Sequence, residues 1–275
     1  GVKNHFTEPG RSSYELAGLT GCFSHMTHEQ LVNWILCSAV YAHGSRDDAW
    51  LKSKLPVFKK CLTSMINRDH PKVDQRNGIM ALDSSRTVSG AEITTYDSLD
   101  ASLGQSRNNV YLAVKGWASY VAMQAIFTSN GLKKQAAVCS EQASRAAQTI
   151  AGFVNDAGFI PAIMGEDCDS AIIPAIEGLA FPYVLGQDDA LDEAGPYGAL
   201  IKSLKKHFKT VLKKGVCLYD DDGWKLSSSA DNSWLSKIYL CQFVARQILG
   251  VKTQATGRAA DKAHVAWLHN PENLR

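Results

Sequence analysis

Apolar residues recur at intervals of three and four through most of this 275-residue chain, and the strict alternation of a β-strand is nearly absent. The spacing predicts a helix over residues 28–43, opened by Thr27 and Gln30 in capping-box spacing and followed by Gly44. A second follows Ser45 over 47–68. Residues 108–129 read as a strongly amphipathic helix carrying Val110, Leu112, Val114, Trp117, Val121 and Ile126, stopped by Asn130-Gly131. An alanine-rich helix is expected over 133–154, and one apolar on nearly every side over 174–185. Over 196–214 a lysine-rich face opposes Leu200, Ile201, Leu204, Phe208 and Leu212, and the last helix, 234–249, closes at Gly250. The single β-like feature is a short hairpin around 216–224. The fold class is all-α.

The connections carry more information than the helices. Links at 44–46, 130–132 and 186–195 are short; those at 1–27, 69–107, 155–173 and 215–233 are long. Long loops are uncommon in compact domains unless they serve a site. If the helices alternate up and down, every long loop falls on one end of the assembly, which is how an (α/α)6 toroid of helical hairpins presents a pocket. Seven helices are too few for a closed six-hairpin ring, so the toroid is expected to be incomplete here. A stacked α-solenoid fits less well, because hairpins starting near 28, 108, 174 and 234 have uneven spacing and share no consensus.

Composition narrows the possibilities. Twenty-nine basic residues against 27 acidic ones give a net charge of +2 and no reason to expect nucleic acid or an anionic membrane as partner. No apolar run reaches the length of a membrane span. Seven cysteines with no C-x-x-C pair, most of them in apolar helical stretches, read as reduced thiols of a cytoplasmic protein. The start, GVKNHFTEPGRSSYE, has neither an initiator Met nor the apolar core of a signal peptide, and is read as an internal point of a longer chain.

The candidate chemistry centres on AEITTYDSLDASLGQSRNNVYLAVKGW, residues 91–117. A polar loop there presents Asp97 and Asp100 beside a hydrophobic helix. Such a setting raises the pKa of the drier carboxyl, as a general acid requires. An Asx-turn or a helix cap accounts for a loop aspartate equally well. Acid/base cleavage of a glycosidic bond also needs a second carboxyl, and none is obvious. Cys22, His25 and His28 have a C-x-x-H-x-x-H spacing, but no fourth ligand is evident, so His25 reads better as a pocket residue than as a zinc ligand. Arg86, just upstream of the loop, can orient a carboxylate. Glu166, Asp167 and Asp169 precede the apolar stretch that Glu177 interrupts, and a carboxylate in such a stretch needs a partner or a function. Asp231 or Asn232 can cap the last helix; Trp234 and Trp267 either pack the core or, for Trp234, offer a flat face to a sugar ring. Phosphate-binding, serine-hydrolase, zinc-protease and RNA-binding motifs are missing.

Four longer segments, SSYELAGLTGCFSHMTHEQLVNW, AEITTYDSLDASLGQSRNNVYLA, IIPAIEGLAFPY and NSWLSKIYLCQFVARQILG, resemble the C-terminal catalytic domain of glycoside hydrolase family 52 β-xylosidases, from about Ser12 to about Leu268. The resemblance implies that residues 1–275 are part of an (α/α)6 catalytic domain that follows an N-terminal β-sandwich. It implies retaining exo-hydrolysis of xylobiose and short β-1,4-xylo-oligosaccharides without metal or organic cofactor, and a homodimer. The family's acid/base aspartate, in a T-T-Y-D-S-L-D motif, falls on Asp97. Its nucleophilic glutamate lies in an N-E-G motif that this sequence lacks, so Glu92, Glu166 and Glu177 are not assigned that role, and the chain alone is expected to be inactive. His25, Arg86, Asp100, Glu177, Asn232 and Trp234 are the candidate sugar contacts. A non-catalytic carbohydrate-binding or remnant helical domain is the alternative; a sugar lyase or epimerase using His25 and Tyr96 is a third.

Overall fold

The computed structural model describes residues 27–70, 72–80, 108–229, 231 and 234–273. Among them the regular structure is helical: α1 (Thr27–Ser45), α2 (Asp48–Asn67), α3 (Val110–Ser129), α4 (Lys133–Gly152), α5 (Ala180–Val184), α6 (Gly198–Val211), α7 (Leu235–Phe243) and α8 (Arg258–His269). Local chemistry sets the starts. Asp47, not Ser45, caps α2, its carboxylate accepting from the Trp50 N–H at 2.9 Å. Asn109 caps α3 by accepting from the Leu112 N–H at 2.7 Å.

The elements lie in two rows. α1, α3, the stretch Ile173–Leu179 and α7 touch in succession, while α2 backs α1, α4 backs α3, and α6 packs on α4 and on Ile173–Leu179. α3, flanked on both sides and from behind, is buried without a break over residues 110–123. It is therefore not the amphipathic helix its apolar spacing predicts, because its polar members Lys115 and Ser119 are buried with the rest.

Other departures have local causes. Residues 174–185 divide into a 3-10 stretch, Ile173–Leu179, and the short α5; Pro182 lacks the amide N–H that would bond one turn back, which breaks a continuous α-ladder. The last predicted helix finishes as a π-turn over Val244–Ile248. The hairpin near 216–224 is a tight turn with one antiparallel bridge, Leu218 to Trp224. α8 escapes the periodicity because its buried positions are Ala260, Ala263 and His264 rather than large apolar residues. Trp267 on α8 is half-buried against the core, and its indole donates to Asp221 Oδ2 at 2.8 Å.

Among the described residues, parts of three long connections are joined by backbone hydrogen bonds. The Asn108 N–H donates to Met80 O at 3.0 Å, so the two feet of the 81–107 segment are joined. The Val110 N–H donates to Ala162 O, Met164 N–H to Asn108 O, Ile173 N–H to Leu226 O and Ser228 N–H to Ala171 O. Three loops are thereby laced together beside the first turns of α3 and of the 173–179 stretch. Upstream, the buried Asp69 carboxylate gathers the N–H groups of His70, Asn77 and Gly78.

Close packing of the first row depends on Gly178. A Cβ there would stand 2.8 Å from Val114 O and 2.9 Å from Val114 C, both backbone atoms of the buried α3. Gly178→Ala is expected to destabilise the fold by about 1–3 kcal/mol in chemical unfolding. An unchanged midpoint would mean that α3 and the 173–179 stretch can move apart freely.

Candidate functional site

Each first-row element delivers polar side chains from its opening turns to the end where these connections are joined. α1 contributes Glu29 and Asn33, α3 contributes Tyr111 and Lys115, the 173–179 stretch contributes Glu177, and α7 contributes Lys237. The six form one network. The Tyr111 phenol donates to Glu29 Oε1 at 2.7 Å and accepts from Lys115 Nζ at 3.0 Å and from Lys237 Nζ in a short contact. Lys237 Nζ also reaches both oxygens of Glu177, at 3.1 and 2.9 Å. Lys115 Nζ donates to Asn33 Oδ1 at 2.6 Å and lies 3.4 Å from Glu177 Oε1 and 3.9 Å from Glu29 Oε1. Both ammonium groups sit over the Tyr111 ring, at 4.9 and 4.4 Å from its centroid.

Burial sets the electrostatics. It holds the Lys115 ammonium below the ordinary lysine value, against the pull of Glu177 in the other direction. It pushes the Tyr111 phenol and the neighbouring Cys241 thiol well up, each helped by the charge of Glu177. Tyr111 thus remains a neutral donor to Glu29. Among the described residues the cluster holds two carboxylates, Glu29 and Glu177, and two lysines, Lys115 and Lys237.

A depression of about 660 Å³ lies away from this network, toward the far end of α3, between Val121–Ser129 positions and residues 186–197. Its carboxylates, Asp188 and Asp189, are exposed to solvent.

Of the residues that the sequence points to, Asp97, Asp100, His25, Arg86 and Asn232 lie outside the described residues. Glu177 is buried and held by Lys115 and Lys237, which supplies the partner that its apolar surroundings demand. Trp234 is 46% exposed at the start of α7, where its carbonyl accepts from the N–H groups of Lys237 and Ile238. Glu166, Asp167 and Asp169 are exposed. Among the described residues no group of three or more His, Cys, Asp or Glu is arranged to hold a metal, and His28 is buried. Sequence reasoning passed over Lys115, Lys237, Tyr111, Glu29 and Asn33. A signal was present: Lys115 interrupts an apolar helix as plainly as Glu177 interrupts its own stretch.

The model for glycosyl hydrolase family 52 matches residues 1–41. A β-xylosidase of Geobacillus stearothermophilus is 59% identical over 271 residues, 98% of this chain and 38% of its own length. Another β-xylosidase of that organism is 47% identical over 150 residues, 54% of this chain and 24% of its own length. The chain spans less than two fifths of the length of the curated relatives it matches.

Proposed function

We propose that this chain, which belongs to glycosyl hydrolase family 52, supplies the acid/base half of the active site of a retaining, exo-acting β-xylosidase. The observation that carries this reading is the 59% identity to a β-xylosidase along almost the whole chain. The two-row packing fits a sector of an (α/α)6 toroid, and the joined feet of the 81–107 segment, which contains Asp97, open on the end where the polar network lies.

In this mechanism the protonated Asp97 gives its proton to the glycosidic oxygen as a glutamate outside these 275 residues attacks the anomeric carbon. Asp97 then takes a proton from water, which releases xylose with its configuration retained. The two carboxyl groups of a retaining pair stand about 5–5.5 Å apart. His25, Arg86, Asp100, Asn232 and Trp234 are the proposed surroundings of the sugar. Glu177, with both oxygens on ammonium groups, acts by holding Lys115 and Lys237. The cytoplasm, where thiols of the kind read from the sequence stay reduced, is the proposed location, and a homodimer is the proposed assembly.

The test is Asp97→Asn in the full-length protein. Hydrolysis of xylobiose is expected to fall at least about a hundredfold, while glycosylation by an aryl xyloside with a very good leaving group, which needs no proton, is spared. Equal losses on both substrates would remove Asp97 from the acid/base role. Turnover of an aryl β-xyloside by the 275-residue chain alone would place a second catalytic carboxyl within it.

A further inference from the structure

We propose that the depression at the far end of α3 is a binding site for an uncharged sugar, and that xylose is the sugar it takes. Only the choice of xylose rests on the reading of the chain as part of a xylosidase; the chemical class of the ligand follows from the lining.

Both walls are built from ordered elements. Val121, Gln124, Ala125 and Thr128 stand at helical spacing on one face of α3. The facing wall, residues 186–197, is tied to itself: the Ala190 N–H donates to Gln187 O, the Leu191 N–H to Asp188 O and the Gly195 N–H to Asp192 O. Close approach requires glycine at 195, where a Cβ would collide with the Asp189 carbonyl. Four acidic residues fall within 188–193, and two of them hold this wall. Asp192 accepts from the Ala194 N–H at 2.8 Å, and Glu193 pairs with Lys205 of α6 at 2.7 Å. The other two, Asp188 and Asp189, have no side-chain partner among the described residues, and both line the depression.

Tyr197 points the same way independently. It is 6% exposed, packs edge-on against Trp117 with ring centroids 5.4 Å apart, and lines the depression. Its hydroxyl has no hydrogen-bond partner among the described residues. A buried tyrosine hydroxyl ordinarily finds one, so this one is left for a ligand. Burial raises its pKa and keeps it a neutral donor.

The lining selects the ligand. It contains no lysine, arginine or histidine, so Asp188 and Asp189 repel an anion. A calcium ion needs about six to eight converging oxygens, and no group of three or more His, Cys, Asp or Glu among the described residues is arranged to hold a metal. The lining is mixed instead. The carboxylates accept, the Gln124 amide donates and accepts, and Thr128 and Tyr197 bring hydroxyls, while Val121, Ala125 and Pro196 are apolar. A pyranose matches this mixture, with O–H groups around its rim and C–H groups on its faces. The volume of about 660 Å³ is that of a small-molecule site, roughly 300–1,000 Å³.

The experiment follows hydrogen exchange of the full-length protein over a range of xylose concentrations, in the wild type, in Tyr197→Phe and in the double variant Asp188→Asn with Asp189→Asn. Xylose is expected to slow exchange of the 186–197 amides, because a bound ligand suppresses local opening. Each variant should shift the half-protecting concentration for that segment upward about tenfold, the loss of one or two hydrogen bonds. The two carboxylates are exposed and the phenylalanine keeps the ring against Trp117, so both variants retain the fold. No protection at 186–197 in the wild type, or protection with an unchanged midpoint in both variants, would overturn the proposal. Protection by spermidine or calcium chloride and not by xylose would also overturn it, making this a cation site. A full-length protein that shows the protection yet hydrolyses no xyloside would keep this site and lose the hydrolase reading.

Discussion

Replacing Glu177 with alanine is expected to destabilise the chain by about 3–5 kcal/mol, because it leaves buried ammonium charge without its nearest counter-charge. Both Glu177 oxygens are engaged by Lys237, and Lys115 lies 3.4 Å away with its side chain 3% exposed. Lys115 has an escape: it can shed its proton. Its folded-state pKa already lies below the ordinary 10.5 through burial, and Glu177 opposes that shift, so losing Glu177 lowers it further. Between the lowered folded value and the ordinary one the unfolded chain binds more protons than the folded one, so the variant gains stability as pH rises through that window. The penalty should therefore be largest near pH 7 and shrink toward pH 10. Guanidinium unfolding of the wild type and variant at both pH values measures it. Adding Lys115→Met to Glu177→Leu should recover about 1 kcal/mol or more relative to the sum of the single changes, since the two groups share one network. Additive single effects, or a penalty that grows with pH, would mean that Glu177 and Lys115 are not coupled as the geometry requires.

The same residues show what the sequence discloses and what it withholds. Helix placement was legible because Leu200, Ile201, Leu204 and Phe208 keep one face of α6 apolar, and all four are buried. The joining of long connections was legible too, since short and long links alternate and loops of like parity meet in the hydrogen bonds of Asn108, Ala162, Ala171 and Leu226. α3 was misread, because periodicity cannot tell a helix with one buried face from one enclosed on all sides when its polar members are themselves buried, as Lys115 is. The network could not be read at all. Glu29, Lys115, Glu177 and Lys237 are far apart in the chain, and only the packing of α1, α3, the 173–179 stretch and α7 brings them together. Of the sequence-derived site residues, Glu177 and Trp234 fall among the described residues, and Glu177 is the one that joins the network.

Acid should loosen the loop end through His207. This side chain on α6 is fully buried; its Nδ1 accepts from the Ile160 N–H at 3.0 Å, and its Nε2 faces Ile172 O at 2.8 Å. The two partners fix the neutral tautomer with hydrogen on Nε2, and the ring ties the 155–173 connection to α6 at both ends. Burial lowers its pKa from 6.5 to about 4, with the Ile172 carbonyl opposing the shift. The folded value lies below the unfolded one, so the unfolded chain takes the proton first as pH falls. The stability that the neutral ring provides is complete above about pH 6.5 and is lost progressively down to about pH 4, an effect of about 3 kcal/mol. His264, whose pKa burial also lowers, contributes to the pH dependence as well, so total stability alone does not isolate the contribution. The difference in unfolding free energy between the wild type and His207→Gln does, because glutamine does not titrate. That difference should favour the wild type most at pH 7 and fall by about 3 kcal/mol by pH 4. A difference that stays constant with pH would mean that protonated His207 keeps its place, which its Nδ1 cannot do while facing the Ile160 N–H.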